Sequence, residues 1–392
     1  MPTGHHPLTC QLHQGPDAFS ALRAPWQDAV HRAAQPSLFM TPVFIEQSWA
    51  HFHQAGDQPW LVSVRDDAQR LVGLLPLALR RERVSRLSAL HRRRTLHHIG
   101  TWAGDRPGVL HTQTTTAACV WRVALTALLE QHTAWHQLDL REIDEAVLPD
   151  LHAVLAAHRP CKRLSLHTQA DTYAGVQPLT GTWQDYFDSR SRHTRHAHRR
   201  SQRLLDKECP DLHVEVIEAP EQMAAAFERY LAIERLGWKH GAHVGLWADP
   251  RQVAFHRALL PALAQRGQAS LWLLRSGDHD IAGLVRFRQG TIAYERFKAF
   301  DPAFAHCSPG NWLCAQALQH SFQTGCSHSD VLGLHTPLAS RQATRAWYDE
   351  EIRTRRLVVT RHGVLGHVLH RLRRWRGSPE PAQGQTASVH HG

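Results

Sequence analysis

The chain has 392 residues, 42% apolar and 20% charged, a globular composition long enough for two cores. Lysine and arginine outnumber the acids 45 to 35, giving +10 with neutral histidine, so an anionic partner such as nucleic acid, lipid or a phosphate-rich cofactor is expected. No apolar run approaches the roughly 18 residues of a spanning helix, and MPTGHHPLTC lacks a secretory core; both predict a cytoplasmic protein.

In chain order, IEQSWAHFHQ (45–54) reads as a helix, and residues 60–77 read as a hairpin of two apolar runs around a polar turn. A strand at 96–104, a helix at 115–132 and a strand at 136–143 follow. Residues 173–189 read as a connection leading into the basic run RSRHTRHAHRRSQRLLDKE, which no helix breaker interrupts. Helical patterns at 220–237 and 250–267 precede a second hairpin, 271–287. VRDDAQRLVGLLPL (64–77) overlays LRSGDHDIAGLVRF (274–287) without a gap, placing Gly73 on Gly283. After this hairpin come a strand (291–300), a loop, a helix from Asn311 and a strand (329–334), the same order as in the first half. A duplication is expected. The predicted units are 1–172, a basic connecting helix at 173–210, a second domain at 211–362, an amphipathic basic helix at 363–376 and a disordered tail at 377–392. The apolar stripe within 364–377, flanked by arginines, suits peripheral contact with a membrane.

The loop AHCSPGNW (305–312) carries the clearest chemical signal. A helix N-terminus offers unpaired N–H groups to an anion, and Gly310 lets that anion approach the backbone. Pro309 fixes the approach of the chain, and Asn311 is the expected cap. The seven cysteines have no C-x-x-C spacing and the 32 histidines no ligand spacing, so buried thiols and no metal are expected. Nothing marks Cys307 as a nucleophile.

The order of elements resembles the Gcn5-related N-acetyltransferase (GNAT) architecture. GWKHGAHVGL (237–246), DIAGLVRF (280–287), YERFKAFDPAFAHCSPGNWL (294–313) and SDVLG (329–333) resemble more closely the tandem CelD/BcsL, or BioF2-like, acetyltransferases of polysaccharide biosynthesis. The resemblance implies an α/β fold of two GNAT-like halves, mixed sheets flanked by helices, the first half degenerate and the second binding acetyl- or another acyl-coenzyme A. It implies acyl transfer to an amine, or a hydroxyl, of a small-molecule, saccharide or envelope-precursor acceptor, without a metal. Phe297, Lys298, Ser308, Pro309, Gly310, Asn311 and Trp312 would then contact the cofactor, and Trp238, Lys239 and Arg296 the acceptor. Glu295 or Asp330 would serve as base, and Tyr294 or Tyr348 would protonate the leaving thiolate. Strict alternation puts Tyr294, Arg296 and Lys298 on one face of the strand and Glu295 and Phe297 on the other. RAWYDEE (345–351) supplies Tyr348 but not the lysine that family members carry beside it. The alternative readings are a FemABX-like peptidyltransferase using aminoacyl-tRNA, and a non-catalytic basic protein that binds nucleic acid or a membrane surface; nucleic acid is disfavoured because the basic run lacks interleaved aromatics.

Overall fold

The computed structural model describes residues 8–85, 88–131, 134–162, 164–237, 245–334 and 345–361. In the first half these form β1 (Thr9–Gln14), α1 (Ala18–His31), α2 (Pro42–Phe52), β2 (Gln58–Arg65), β3 (Leu71–Ser85), β4 (Ser88–His98), β5 (Leu110–His111), α3 (Ala117–Glu130), β6 (Gln137–Asp144), α4 (Leu148–Lys162) and β7 (Leu164–Pro178). The second half comprises α5 (Trp183–Ser189), α6 (Arg192–Glu208), β8 (His213–Ile217), α7 (Pro220–Leu236), α8 (Pro250–Ala264), β9 (Ala269–Ser276), β10 (His279–Gln289), β11 (Ile292–Phe300), α9 (Pro309–Gln323), β12 (His328–Leu334) and β13 (Glu350–Arg361).

Local chemistry sets the helix starts. Thr41 and Asp249 each cap a helix whose next residue is proline, where a missing N–H costs nothing. Ser191 caps α6 by accepting the Thr194 N–H, so the basic run begins as a helix one turn before its densest arginines. Met223, Phe227, Tyr230, Leu231 and Glu234 recur at helical spacing on the buried stripe of α7.

All thirteen strands belong to one sheet, in the order β1-β2-β3-β4-β6-β13-β7-β12-β11-β10-β9-β8, with β5 beside β3. Each half runs helices, hairpin, strand, helix, strand, and in each the strands flanking the second helix pair in parallel: β4 with β6 and β11 with β12. The closing strands are exchanged. β7, from the first half, pairs with β12 of the second; β13, from the second, pairs with β6 of the first. The two also pair with each other from Glu350↔Val176 to Arg361↔Leu164. Residues 173–178 are therefore strand rather than connection, and residue 172 lies inside β7.

The repeat in the sequence is one residue out of step with the repeat in space. Gly73 lies under α3, where a Cβ would come within 2.5 Å of Val120; Gly283 lies under α7, where it would come within 2.8 Å of Tyr230. α3 and α7 occupy opposite sides of their half-sheets, and a one-residue slip in a strand exchanges its faces. The parallel pairs give the correct correspondence: His97 opposite Asp139 takes the place of Tyr294 opposite Asp330.

Candidate functional site

Strands β11 and β12 pair only at Ile292↔His328, Ala293↔Ser329 and Tyr294↔Asp330, although β11 continues to Phe300 and β12 to Leu334. A wedge therefore opens in the sheet beyond Tyr294 and Asp330. The register between β10 and β11 steps from Arg286↔Glu295 to Val285↔Phe297, leaving Arg296 as an extra, bulged residue. The bulge overturns the strict alternation read from the sequence: Lys298 joins Glu295 on the α9 face, and Phe297 joins Tyr294 on the α7–α8 face.

On the α9 face, Glu295 is 7% exposed, and the Tyr348 hydroxyl and Cys314 thiol lie close enough to act on its ionisation. Burial raises its pKa above the usual carboxylate range, against the pull of Arg286, Tyr348 and Lys298. Among the described residues its Oε1 has no hydrogen-bond partner. Burial also raises the Tyr348 hydroxyl and pushes the Cys314 thiol up to about 12. The Lys298 ammonium donates to Asn311 Oδ1 at 2.8 Å, and its stem runs over Gly310, where a Cβ would stand 3.2 Å from Lys298 Cδ.

α9 itself begins at Pro309, two residues before Asn311. Ser308, left-handed at φ 53°, precedes Pro309, and its side chain does not cap the 15-residue helix. The Lys298 ammonium thus lies at the first turn of the helix, beside the positive end of its dipole. Trp312 donates its indole N–H to Gln202 of α6 at 2.7 Å. A cavity of about 970 Å³ runs along α6, lined by Trp183, Phe187, Arg192, Arg195, Arg199 and Arg203.

The other predicted residues are placed differently. Tyr294 packs edge-on against Phe39 with ring centroids 5.5 Å apart, and Phe297 against His256 at 4.9 Å, both in the core beneath α7 and α8. Arg296 is partly buried and donates to the Ala103 carbonyl at 2.7 Å. Asp330 accepts the Leu332 N–H at 2.7 Å and pairs with Arg106. Trp238, Lys239 and the amphipathic segment 364–377 lie outside the described residues.

Sequence reading missed what fills the seam between the halves. Asp105 accepts the Gly333 N–H at 2.5 Å, Arg106 reaches Asp330, and Glu142 accepts the Arg106 N–H at 2.8 Å. Burial pushes the Asp105 carboxyl up to about 6, partly offset by Arg106. Among the described residues six non-glycine residues have positive φ, and four of them, Arg106, Glu142, Ser308 and Leu332, belong to this seam or to the α9 turn. Backbone strain of this kind costs about 1–3 kcal/mol per residue and collects where function requires it.

The equivalent place in the first half is closed. Asp139 is bound by Arg356 at 2.6 Å, and His98, which stands where Glu295 stands, is fully buried beside Trp121 with its pKa pulled to about 3 by burial. Such an imidazole is a weak proton acceptor.

Residues 192–338 match the family model described as an acetyltransferase (GNAT) domain. This fold is GNAT-like. FemX superposes with a TM-score of 0.58 at 10% identity, over 92% of this chain and 99% of that one. A conserved protein of unknown function from Bacteroides thetaiotaomicron gives 0.54 at 10%, over 87% and 97%. The C-terminal domain of a putative lysylphosphatidylglycerol synthetase from Agrobacterium fabrum gives 0.52 at 10%, over 90% and 95%. At these identities the likeness is one of fold. No curated protein matches the chain in sequence. Among the described residues of this GNAT-like protein, no helix is long and apolar enough to cross a membrane.

Proposed function

We propose that the chain is an acyltransferase whose second half takes an acyl group from a coenzyme A thioester and passes it to an amine. The reading is carried by one observation: the start of α9, with Lys298 above it, stands beside a wedge in the sheet where a buried carboxylate has an oxygen without a hydrogen-bond partner among the described residues. Phosphate suits the first feature and proton transfer the second. Glu295 takes the proton of the amine as nitrogen attacks the acyl carbon. The carbon–sulfur bond then breaks, and the Tyr348 hydroxyl protonates the departing sulfur. The Tyr348 hydroxyl acts directly on Glu295, so the proton gained by the acid returns to the phenol and both groups are restored. Glu295 is the better base of the two predicted, since Asp330 is already committed to Arg106 and the Leu332 N–H. A saccharide or envelope-precursor amine fits this chemistry, and a hydroxyl acceptor needs the same geometry.

Calorimetry with coenzyme A and acetyl-coenzyme A, on the wild type and on Gly310→Glu, tests the donor. Binding that is lost in a variant with unchanged circular dichroism supports the proposal. No binding by the wild type refutes it. The arginine-lined cavity along α6 favours a second reading, an aminoacyl-tRNA donor. In that case tRNA is retained on filters and the Gly310 variant loses nothing.

A further inference from the structure

Glu208, His306 and Cys307 have no part in the acyl-transfer reading above, and they converge on one point. The His306 Nε2 is 3.4 Å from the Cys307 Sγ and 2.7 Å from the Glu208 Oε2; the Sγ is 3.6 Å from the same carboxylate oxygen. We propose that these three side chains bind a zinc ion that ties the end of α6 to the turn preceding α9.

Three arguments lead there. The first is geometric: tetrahedral zinc with its usual bond lengths sets ligand atoms about 3.6 Å apart when one is sulfur and about 3.4 Å when both are nitrogen or oxygen. Both sulfur distances already agree, and only the His306–Glu208 contact must lengthen, which two exposed side chains allow. Second, one imidazole nitrogen faces both partners. A nucleophilic relay needs the two ring nitrogens to take different partners, so this arrangement does not build one; a shared metal ion requires just such convergence. Third, Glu208 is the last residue of a 17-residue helix, where its charge meets the negative end of the dipole, and a cation relieves both.

The site is also held in shape before any metal arrives. Ser201 of α6 donates to the Cys307 carbonyl and Arg200 to the His306 carbonyl, so the backbone bearing two ligands is fixed to the helix bearing the third. Thiolate, imidazole and carboxylate together suit zinc, with cobalt as its spectroscopic substitute. Binding releases the thiol proton to solvent, and a fourth position remains open to water because His306 and Glu208 face outward. The next residue after the ligand pair is Ser308, so the metal would brace the turn that sets the start of α9.

The test uses the full chain, reduced and stripped with chelator, titrated with Co²⁺. One equivalent is expected to produce a thiolate charge-transfer band and the visible bands of tetrahedral cobalt. Cys307→Ser is expected to abolish the charge-transfer band. His306→Gln and Glu208→Gln, both at exposed side chains and safe for the fold, are expected to weaken binding at least about tenfold, the loss that even outer-shell partners produce. Zn²⁺ is expected to raise the melting temperature of the wild type, and at the same concentration to raise that of each variant less. The proposal is overturned by the absence of a band at one equivalent, by a band that survives Cys307→Ser, or by full affinity in both glutamine variants. None of these readouts involves coenzyme A, so the site stands or falls separately from the acyltransferase reading.

Discussion

Replacing Glu295 with glutamine should lower activity while making the protein more stable. Gln keeps the volume but takes no proton at neutral pH. Loss of a general base typically costs 10²–10⁴-fold, equivalent to about 3–5 kcal/mol of barrier. Stability moves the other way. Burial raises the Glu295 pKa, so the folded state holds its proton more tightly than the unfolded state does. The contribution of this group is therefore fully present below the unfolded carboxylate range and is lost as pH rises through the folded value. Each unit of elevation costs about 1.4 kcal/mol at neutral pH, and at 7% exposure solvent screens little of it. Glutamine carries no such cost, so the stability difference between variant and wild type should widen from about pH 4 to about pH 8. Urea unfolding at both pH values measures this without any substrate. Release of free thiol from acetyl-coenzyme A in the presence of amines measures turnover. A variant that keeps wild-type turnover, or whose stability relative to wild type falls between the two pH values, refutes the assignment.

Other substitutions probe the surroundings. Tyr348→Phe removes a hydroxyl that lowers the Glu295 pKa, so the acid limb of the rate profile should move to higher pH as turnover falls roughly 10²-fold or more; an unmoved limb argues against the pairing. Arg106→Met strands Asp330 and Asp105 in the seam and should cost about 3–5 kcal/mol in urea unfolding, as broken buried pairs do. His98 and His256 are fully buried with pKa values lowered to about 3, so they favour the folded state above the ordinary imidazole range and withdraw that support as pH falls from about 6.5 toward 3. A chain carrying His98→Gln should lose less stability over that interval, measured by thermal unfolding at stepped pH.

Much of the fold could be read from local pattern, because hairpins, caps and amphipathic stripes are short-range properties. The helix placed at 115–132 spans Ala117–Glu130, the strand at 291–300 spans Ile292–Phe300, and the basic run from Arg190 is helical from Arg192. The Ser-Pro-Gly turn was visible as well, since proline and glycine there constrain the backbone directly. What escaped depends on partners far along the chain. The bulge at Arg296 exists only in the pairing of β11 with β10, yet it decides that Lys298 and Glu295 share a face. β7 and β13 pair across the halves, and no period within either strand reports its neighbour. Asp105 and Arg106 sit in a connection and Glu142 near the end of β6, with no motif of their own; only the gap between β11 and β12 gives them a task. Asn311 had the chemistry of a cap, but the left-handed turn at Ser308 starts the helix at Pro309, two residues earlier, and leaves the Asn311 side-chain oxygen to Lys298.

The exchanged closing strands bear on how such a chain arose. A single copy of the repeat, with its last strand lent to a neighbouring molecule and one received in return, would have made this same sheet from two polypeptides, stable only at sufficient concentration. Joining the copies end to end makes the exchange internal and independent of concentration. It also frees the halves from having to be alike. One half can place His98 beside Trp121 where the other places Glu295, a difference that two identical chains could never attain.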